Sequence, residues 1–123
     1  MLRAVVDRDE TARGWTTEIE RGRVEGLVPD LVYAEVTHVL ARYAKTGRLT
    51  RGQVGRALHE VLRLSLTVRP LSALAGPALK LSLDRDLSVY DACYLALAEA
   101  TGATLVTADR VLADAATDAV LLA

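Results

Sequence analysis

The feature that most constrains this chain is an alternation. Short apolar runs are separated by longer stretches whose apolar residues recur at helical intervals. Val24 to Val28, Leu66 to Arg69, Thr104 to Thr107 and Ala119 to Leu122 read as strands. Between them, Asp9 to Arg21 places Ala12, Trp15 and Ile19 on one helical face and stops at Gly22. Asp30 is positioned to cap a helix that runs to about Ala44 before Gly47, and Thr50 to cap a second carrying Val54, Leu58, Val61 and Leu62. Ser72 opens a helix interrupted or kinked at Pro77, Ser88 caps a long one closed by Gly102, and Asp109 to Ala116 is a short one. Parallel strands need a helix-length crossover, and these stretches supply it. The expected fold class is therefore α/β, with a parallel sheet flanked by helices in three layers.

The chain has 123 residues, enough for one core, so residues 1–123 are expected to form a single domain. With 51% hydrophobic and 25% charged residues, the composition excludes a disordered tail. Neither a membrane-length apolar run nor a signal-peptide pattern is present, which points to the cytoplasm. Cys93 is the single cysteine, so an internal disulfide and a paired-cysteine zinc site are both excluded; its ordinary reading is a small buried apolar residue. Phosphate-loop, nucleophile-elbow and dinucleotide fingerprints are absent, which argues against nucleotide hydrolysis, serine esterase chemistry and hydride transfer.

The formal net charge of −1 conceals a basic middle. Arg42, Lys45, Arg48, Arg51, Arg56, Arg63 and Arg69 face the single acid Glu60 in that stretch, while both flanking segments are acidic. Such a segment is either a phosphate-contacting flank or a solvated helix surface, and the sequence leaves both readings open.

Three acids lie in apolar company. Glu35 is surrounded at helical spacing by Leu31, Val32, Val36 and Val39. Asp91 lies in SVYDACYLALAEA, although Ser88-x-x-Asp91 also has the spacing of a capping box. Asp109 follows TLVT directly, where helix capping alone would account for it. All three fall where open α/β sheets place their sites, beyond the carboxyl ends of strands. If they converge, their mutual repulsion favours a divalent cation, and an all-oxygen donor set suits Mg²⁺ or Mn²⁺. Phosphodiester hydrolysis is the chemistry that such a site serves.

The segments VPDLVYAEV, SVYDACYLALAEATGATLVTADRVLA and the terminal AVLLA resemble the blocks of PIN-domain ribonucleases of the VapC toxin type, over almost the whole chain. By motif, the resemblance implies that Glu35, Asp91 and Asp109 are both the catalytic and the metal-binding residues, with Thr107 hydrogen-bonding nearby. It implies a Mg²⁺- or Mn²⁺-dependent endoribonuclease acting on RNA, dimeric, and restrained by a VapB-like antitoxin. The alternative is a catalytically inactive PIN relative that serves as an antitoxin- or RNA-binding module.

One departure stands out. The family opens with a strand ending in aspartate, V-V-D-A-S or V-V-D-T-N, at the middle of the sheet, and no clean copy is present. The favoured reading makes Met1 to Asp9 the latter part of a first helix, with Leu2, Val5 and Val6 at helical spacing. The central strand and its aspartate would then be missing and the domain N-terminally truncated. It is favoured because DRDETARGWTTEIERG is similar to the family's stretch between first helix and second strand. The other reading makes Arg3 to Val6 the strand, Asp7 its aspartate and Asp9 to Arg21 a shortened crossover helix. A remaining rival, a di-iron site on Glu35-x-x-His38, lacks the second such motif that a helical bundle requires. Tyr43, Tyr90 and Tyr94 could stack on bases, although tyrosines in such apolar helices are more often core.

Overall fold

The structure, a computed structural model, describes residues 2–6, 13–107 and 109–121. Five strands, β1 (Leu2–Val6), β2 (Val24–Pro29), β3 (Leu66–Arg69), β4 (Thr104–Thr107) and β5 (Ala119–Leu121), form one sheet in the order β3-β2-β1-β4-β5. Every pairing is parallel. Six helices complete the described chain: α1 (Arg13–Glu20), α2 (Leu31–Lys45), α3 (Arg51–Arg63), α4 (Leu71–Arg85), α5 (Val89–Thr101) and α6 (Arg110–Ala115). The expected α/β class is the observed one.

The expectation of a missing first strand is corrected. Leu2–Val6 is a strand and it occupies the centre of the sheet, pairing Ala4 with Gly26 of β2 on one side and with Thr104 of β4 on the other. Leu2, Val5 and Val6 satisfy a helical spacing locally, but a gap between β2 and β4 would have left two rows of backbone N–H and C=O groups without partners. The alternation of buried side chains follows from the pleat. Ala4 joins a cluster with Ile19, Val24 and Val106 on one face, and Val5 joins Leu27, Leu105 and the helices of the other. A strand buried on both faces reads as a continuous apolar run, which is why its periodicity is ambiguous. Asp7, Arg8 and Asp9 lie outside the described residues, as does the amino-terminal part of the expected Asp9–Arg21 helix.

Two faces divide the core. On one, Ile19 of α1 lies on Val24 and Val106, with Trp15 and Leu66 packed alongside. Gly26 permits this close approach, because a Cβ there would sit 2.8 Å from Leu66 Cδ2 and 2.9 Å from Ile19 Cδ1. On the other face α5 is the central helix, with Ala92 through Ala98 all buried. Leu74 and Ala78 of α4 and Leu112 of α6 pack into the same cluster. Arg85 fastens the end of α4, reaching Glu99 Oε1 of α5 at 3.1 Å and the Ala115 carbonyl of α6 at 2.6 Å. Pro77 sits inside α4 without ending it.

Local signals account for most boundaries. Thr50 and Gln53 form a reciprocal capping box, Thr50 Oγ1 accepting from Gln53 N–H at 3.1 Å and Gln53 Oε1 from Thr50 N–H at 2.8 Å. Gly102 closes α5 in the left-handed conformation at φ 67°. Asp30 behaves differently from its expected role. Its carboxylate makes no cap bond to α2; Oδ1 instead accepts from Leu71 N–H at 3.1 Å, and its own N–H donates to the Arg69 carbonyl at 2.9 Å. It thus ties the end of β2 to the β3–α4 junction. No helix among the described residues is long and apolar enough to cross a membrane.

Candidate active site

Where the strand order reverses, the crossovers leave on opposite faces and open a crevice at the carboxyl ends of the strands. Here the reversal falls between β1, which leads to β2, and β4, which leads to β5 on the other side. A helix that connects parallel strands runs back against them, so its amino terminus lies near the carboxyl edge of the strand it follows or its carboxyl terminus near the amino edge of the strand it feeds. By this rule the amino-terminal ends of α2, α5 and α6 belong to the carboxyl edge; Asp91 lies in the first turn of α5, Glu35 one turn into α2, and Asp109 at the cap of α6.

Glu35, half-buried, lies one turn into α2. Its Oε1 accepts a 2.6 Å hydrogen bond from the phenol of Tyr94, which is fully buried in the second turn of α5. Glu35 also lines a cavity of about 440 Å³ with Ala34, His38, Val39 and the exposed Tyr90. Asp91, half-buried in the first turn of α5, follows Tyr90 directly and precedes Tyr94 by one turn, and its N–H donates to Ser88 Oγ at 3.1 Å. Asp109 enters from the end of β4. Its Oδ1 accepts from the N–H groups of Val111 at 2.9 Å and Leu112 at 3.2 Å, capping α6, and its own N–H donates to the buried Thr107 Oγ1 at 3.0 Å.

The structure therefore joins the Glu35 helix directly to the helix of Asp91, while Asp109 arrives at the same edge with one oxygen engaged by α6. Among the described residues, no three His, Cys, Asp or Glu side chains stand close enough to form a ready-made metal cage. The donor chemistry nonetheless fits a hard cation. Carboxylates from three elements are offered, and Mg²⁺ keeps several waters and needs only one or two protein carboxylates. Acid in the first turn of α5 and at the cap of α6 is also favoured by the helix dipoles.

Cys93 reports on the same region. Burial pushes its thiol above the usual range, and the carboxylates of Glu35 and Asp30 push it further. His38, at the rim of the Glu35 cavity, is exposed. Sequence reasoning passed over Tyr94 as a core residue; the available signal was that a buried phenol needs a hydrogen-bond partner. Tyr90, on the same helix, is instead 63% exposed beside the acid. All seven basic side chains of the middle segment are exposed, distributed over the last turn of α2, the α2–α3 turn, α3 and the end of β3. Arg48 lies over the ring of Tyr43 at 5.7 Å.

A family model described as PIN domain matches residues 1–118. The chain belongs to the PIN domain family. Among its relatives, the VapC ribonuclease Mb0985 of Mycobacterium bovis is 41% identical over 87 residues, 71% of this chain and 67% of that protein. Ribonuclease VapC3 of Pyrobaculum aerophilum is 36% identical over 92% of this chain and 94% of its own length. The crystal structure of PAE2754 from Pyrobaculum aerophilum superposes with a TM-score of 0.77 at 26% identity, covering 97% of this PIN domain and 88% of that chain. A structure of VapBC2 from Rickettsia felis, bound to a promoter DNA fragment, shares the fold at a TM-score of 0.66 and 12% identity, with 98% of each chain covered. The VapC-like PIN resemblance read from the sequence is thus the family the chain belongs to.

Proposed function

We propose that this PIN domain is a VapC-type endoribonuclease that hydrolyses RNA phosphodiester bonds with Mg²⁺ or Mn²⁺, and that it works in the cytoplasm under the restraint of a VapB-like antitoxin. The observation that supports the proposal is the Glu35–Tyr94 hydrogen bond, which joins α2 to α5, the helix that carries Asp91 three residues before Tyr94. Glu35, Asp91 and Asp109 are the residues that would hold the ion. Bound there, such an ion supplies an activated water and neutralises charge on the phosphoryl oxygens. Asp7, which follows the last residue of the central strand β1 in the chain, is the further carboxylate we assign to the site on chain position alone.

The protein's own part is positioning. Tyr90 offers a ring face for a nucleobase beside the acids, and the exposed cations from Arg42 to Arg69 offer contacts for the RNA backbone at a distance from them. A homodimer belongs to the proposal as well, with Leu79 and Leu83, exposed one turn apart on α4, as surface for a second copy to cover. The names of its relatives support the reading: two are called VapC ribonucleases, and one structural neighbour is a toxin–antitoxin complex from Klebsiella pneumoniae.

The test is cleavage of end-labelled RNA by the purified chain with Mg²⁺, with Mn²⁺ and with a chelator, next to Asp91→Asn. The expected result is cleavage that needs the ion and falls at least a hundredfold in the variant, in the range set by removing a group that acts in the transition state. Cleavage that persists in chelator, or equal cleavage by Asp91→Asn, removes the nuclease reading. A wild-type chain that binds RNA without cutting it favours the inactive-module alternative instead.

A further inference from the structure

We propose that Tyr94 is a positioning residue for Glu35: its phenol fixes the Glu35 carboxylate against the first turns of α5 and so sets the geometry in which the acids receive a divalent cation. This inference rests on the metal-site reading above and goes beyond it by assigning a role to a residue that touches neither ion nor RNA.

Tyr94 is fully buried on a helix whose adjacent positions in the chain are alanine, cysteine and leucine. Packing alone would be served by phenylalanine. A buried hydroxyl raises the cost of folding until it is satisfied. Its partner is 59 residues away in the chain, and the 2.6 Å separation falls in the short range of a hydroxyl donating to a carboxylate.

The geometry gives the bond a purpose. Glu35 carries a flexible side chain on the first turns of α2, and Asp91 stands one turn before Tyr94 on the same helix. The phenol therefore ties the Glu35 carboxylate of α2 to the helix that carries Asp91. A carboxylate already held in place loses less freedom on taking up a cation. Residues that orient metal-ligating groups from behind commonly alter metal affinity by roughly 10–100-fold when they are removed.

Tyr94→Phe keeps the ring and removes the single oxygen. The experiment is isothermal titration of the purified, metal-free full chain with MnCl₂ alone, carried out on wild type, Tyr94→Phe, Glu35→Gln and the double variant, with circular dichroism to establish that each is folded. The expected result is a Mn²⁺ dissociation constant weakened roughly 10–100-fold in Tyr94→Phe. Little further loss is expected on adding Tyr94→Phe to Glu35→Gln, because the phenol acts through that carboxylate. A merely structural tyrosine would lower the melting temperature and leave the titration unchanged. Wild-type protein supplies a second reading that needs no variant at position 94: Mn²⁺ should produce a tyrosine absorption difference band that persists in Tyr90→Phe. If wild type binds Mn²⁺ in a Glu35-dependent way while Tyr94→Phe binds equally tightly, or if the difference band is absent, the positioning role is wrong and the metal site stands. If wild type binds no Mn²⁺, or Glu35→Gln binds as wild type does, the metal-site reading falls and this inference falls with it.

Discussion

Asp109 carries two duties that substitution separates. In the structure its Oδ1 accepts from Val111 and Leu112 N–H, and Leu112, immediately inside the cap, is fully buried in the core. Helix α6 has only six residues, so loss of the cap frays a large part of it and loosens Leu112. Asp109→Ala removes the acceptor and is expected to destabilise the metal-free protein by about 1–2 kcal/mol, the upper half of the usual range for an N-cap. Asp109→Asn keeps an acceptor oxygen in the same place. It loses only the charge at the helix terminus, about 0.3–0.5 kcal/mol for a half-exposed group. For a domain of this size roughly 3–6 °C accompany each kcal/mol, so Asp109→Ala should melt about 3–12 °C lower and Asp109→Asn about 1–3 °C lower. Metal reverses the emphasis. At a hundredfold excess over its dissociation constant, Mn²⁺ stabilises wild type by about 2.7 kcal/mol. If losing the Asp109 charge weakens binding tenfold to a hundredfold, the same concentration stabilises Asp109→Asn by only about 0.4–1.4 kcal/mol. Differential scanning calorimetry with and without Mn²⁺ measures both effects. Equal melting of the two metal-free variants refutes the capping argument, and a wild-type Mn²⁺ shift in Asp109→Asn refutes the ligand argument.

Two further outcomes follow from the same structure. The Cys93 thiol is held above its ordinary range first by burial and then by the charges of Glu35 and Asp30. A group whose folded-state pKa is raised contributes stability below its unfolded value and loses it as pH rises through the folded one. Stability should therefore fall on the alkaline side of the ordinary thiol value of 9.0, the fall should be smaller in Cys93→Ala, and native protein should resist alkylation by iodoacetamide; rapid native labelling refutes the burial argument. Charge reversal at Arg48, Arg51 and Arg56, all exposed, should weaken RNA binding uniformly across sequences. It should also flatten the salt dependence by roughly 0.7 for every phosphate of a single strand that is no longer neutralised, read as the slope of log K against log salt in a filter-binding assay. An unchanged slope assigns these cations to a solvated surface.

Much of the fold was legible because its signals are local. The periodic apolar stripe, Thr50 with Gln53, and Gly102 in its left-handed cap each act within a few residues, and the β2, β3 and β4 runs are bounded by such signals. Two local cues misdirected. The Leu2–Val6 run satisfied both a helical and a strand spacing, and Asp30 stood at the right place to cap α2 but turned to Leu71 instead. In each case the deciding partner lies far away in the chain.

The sequence by itself determined the α/β class and the family through its motif blocks, and it singled out Glu35, Asp91 and Asp109 as the candidate acids. Tertiary structure alone decided that Leu2–Val6 is the central strand, because only the paired edges of β2 and β4 satisfy its backbone. It alone joined Glu35 to Tyr94 across 59 residues. Periodicity and capping are short-range and can be read along the chain, whereas backbone pairing and the satisfaction of a buried hydroxyl depend on which distant segment the fold brings alongside.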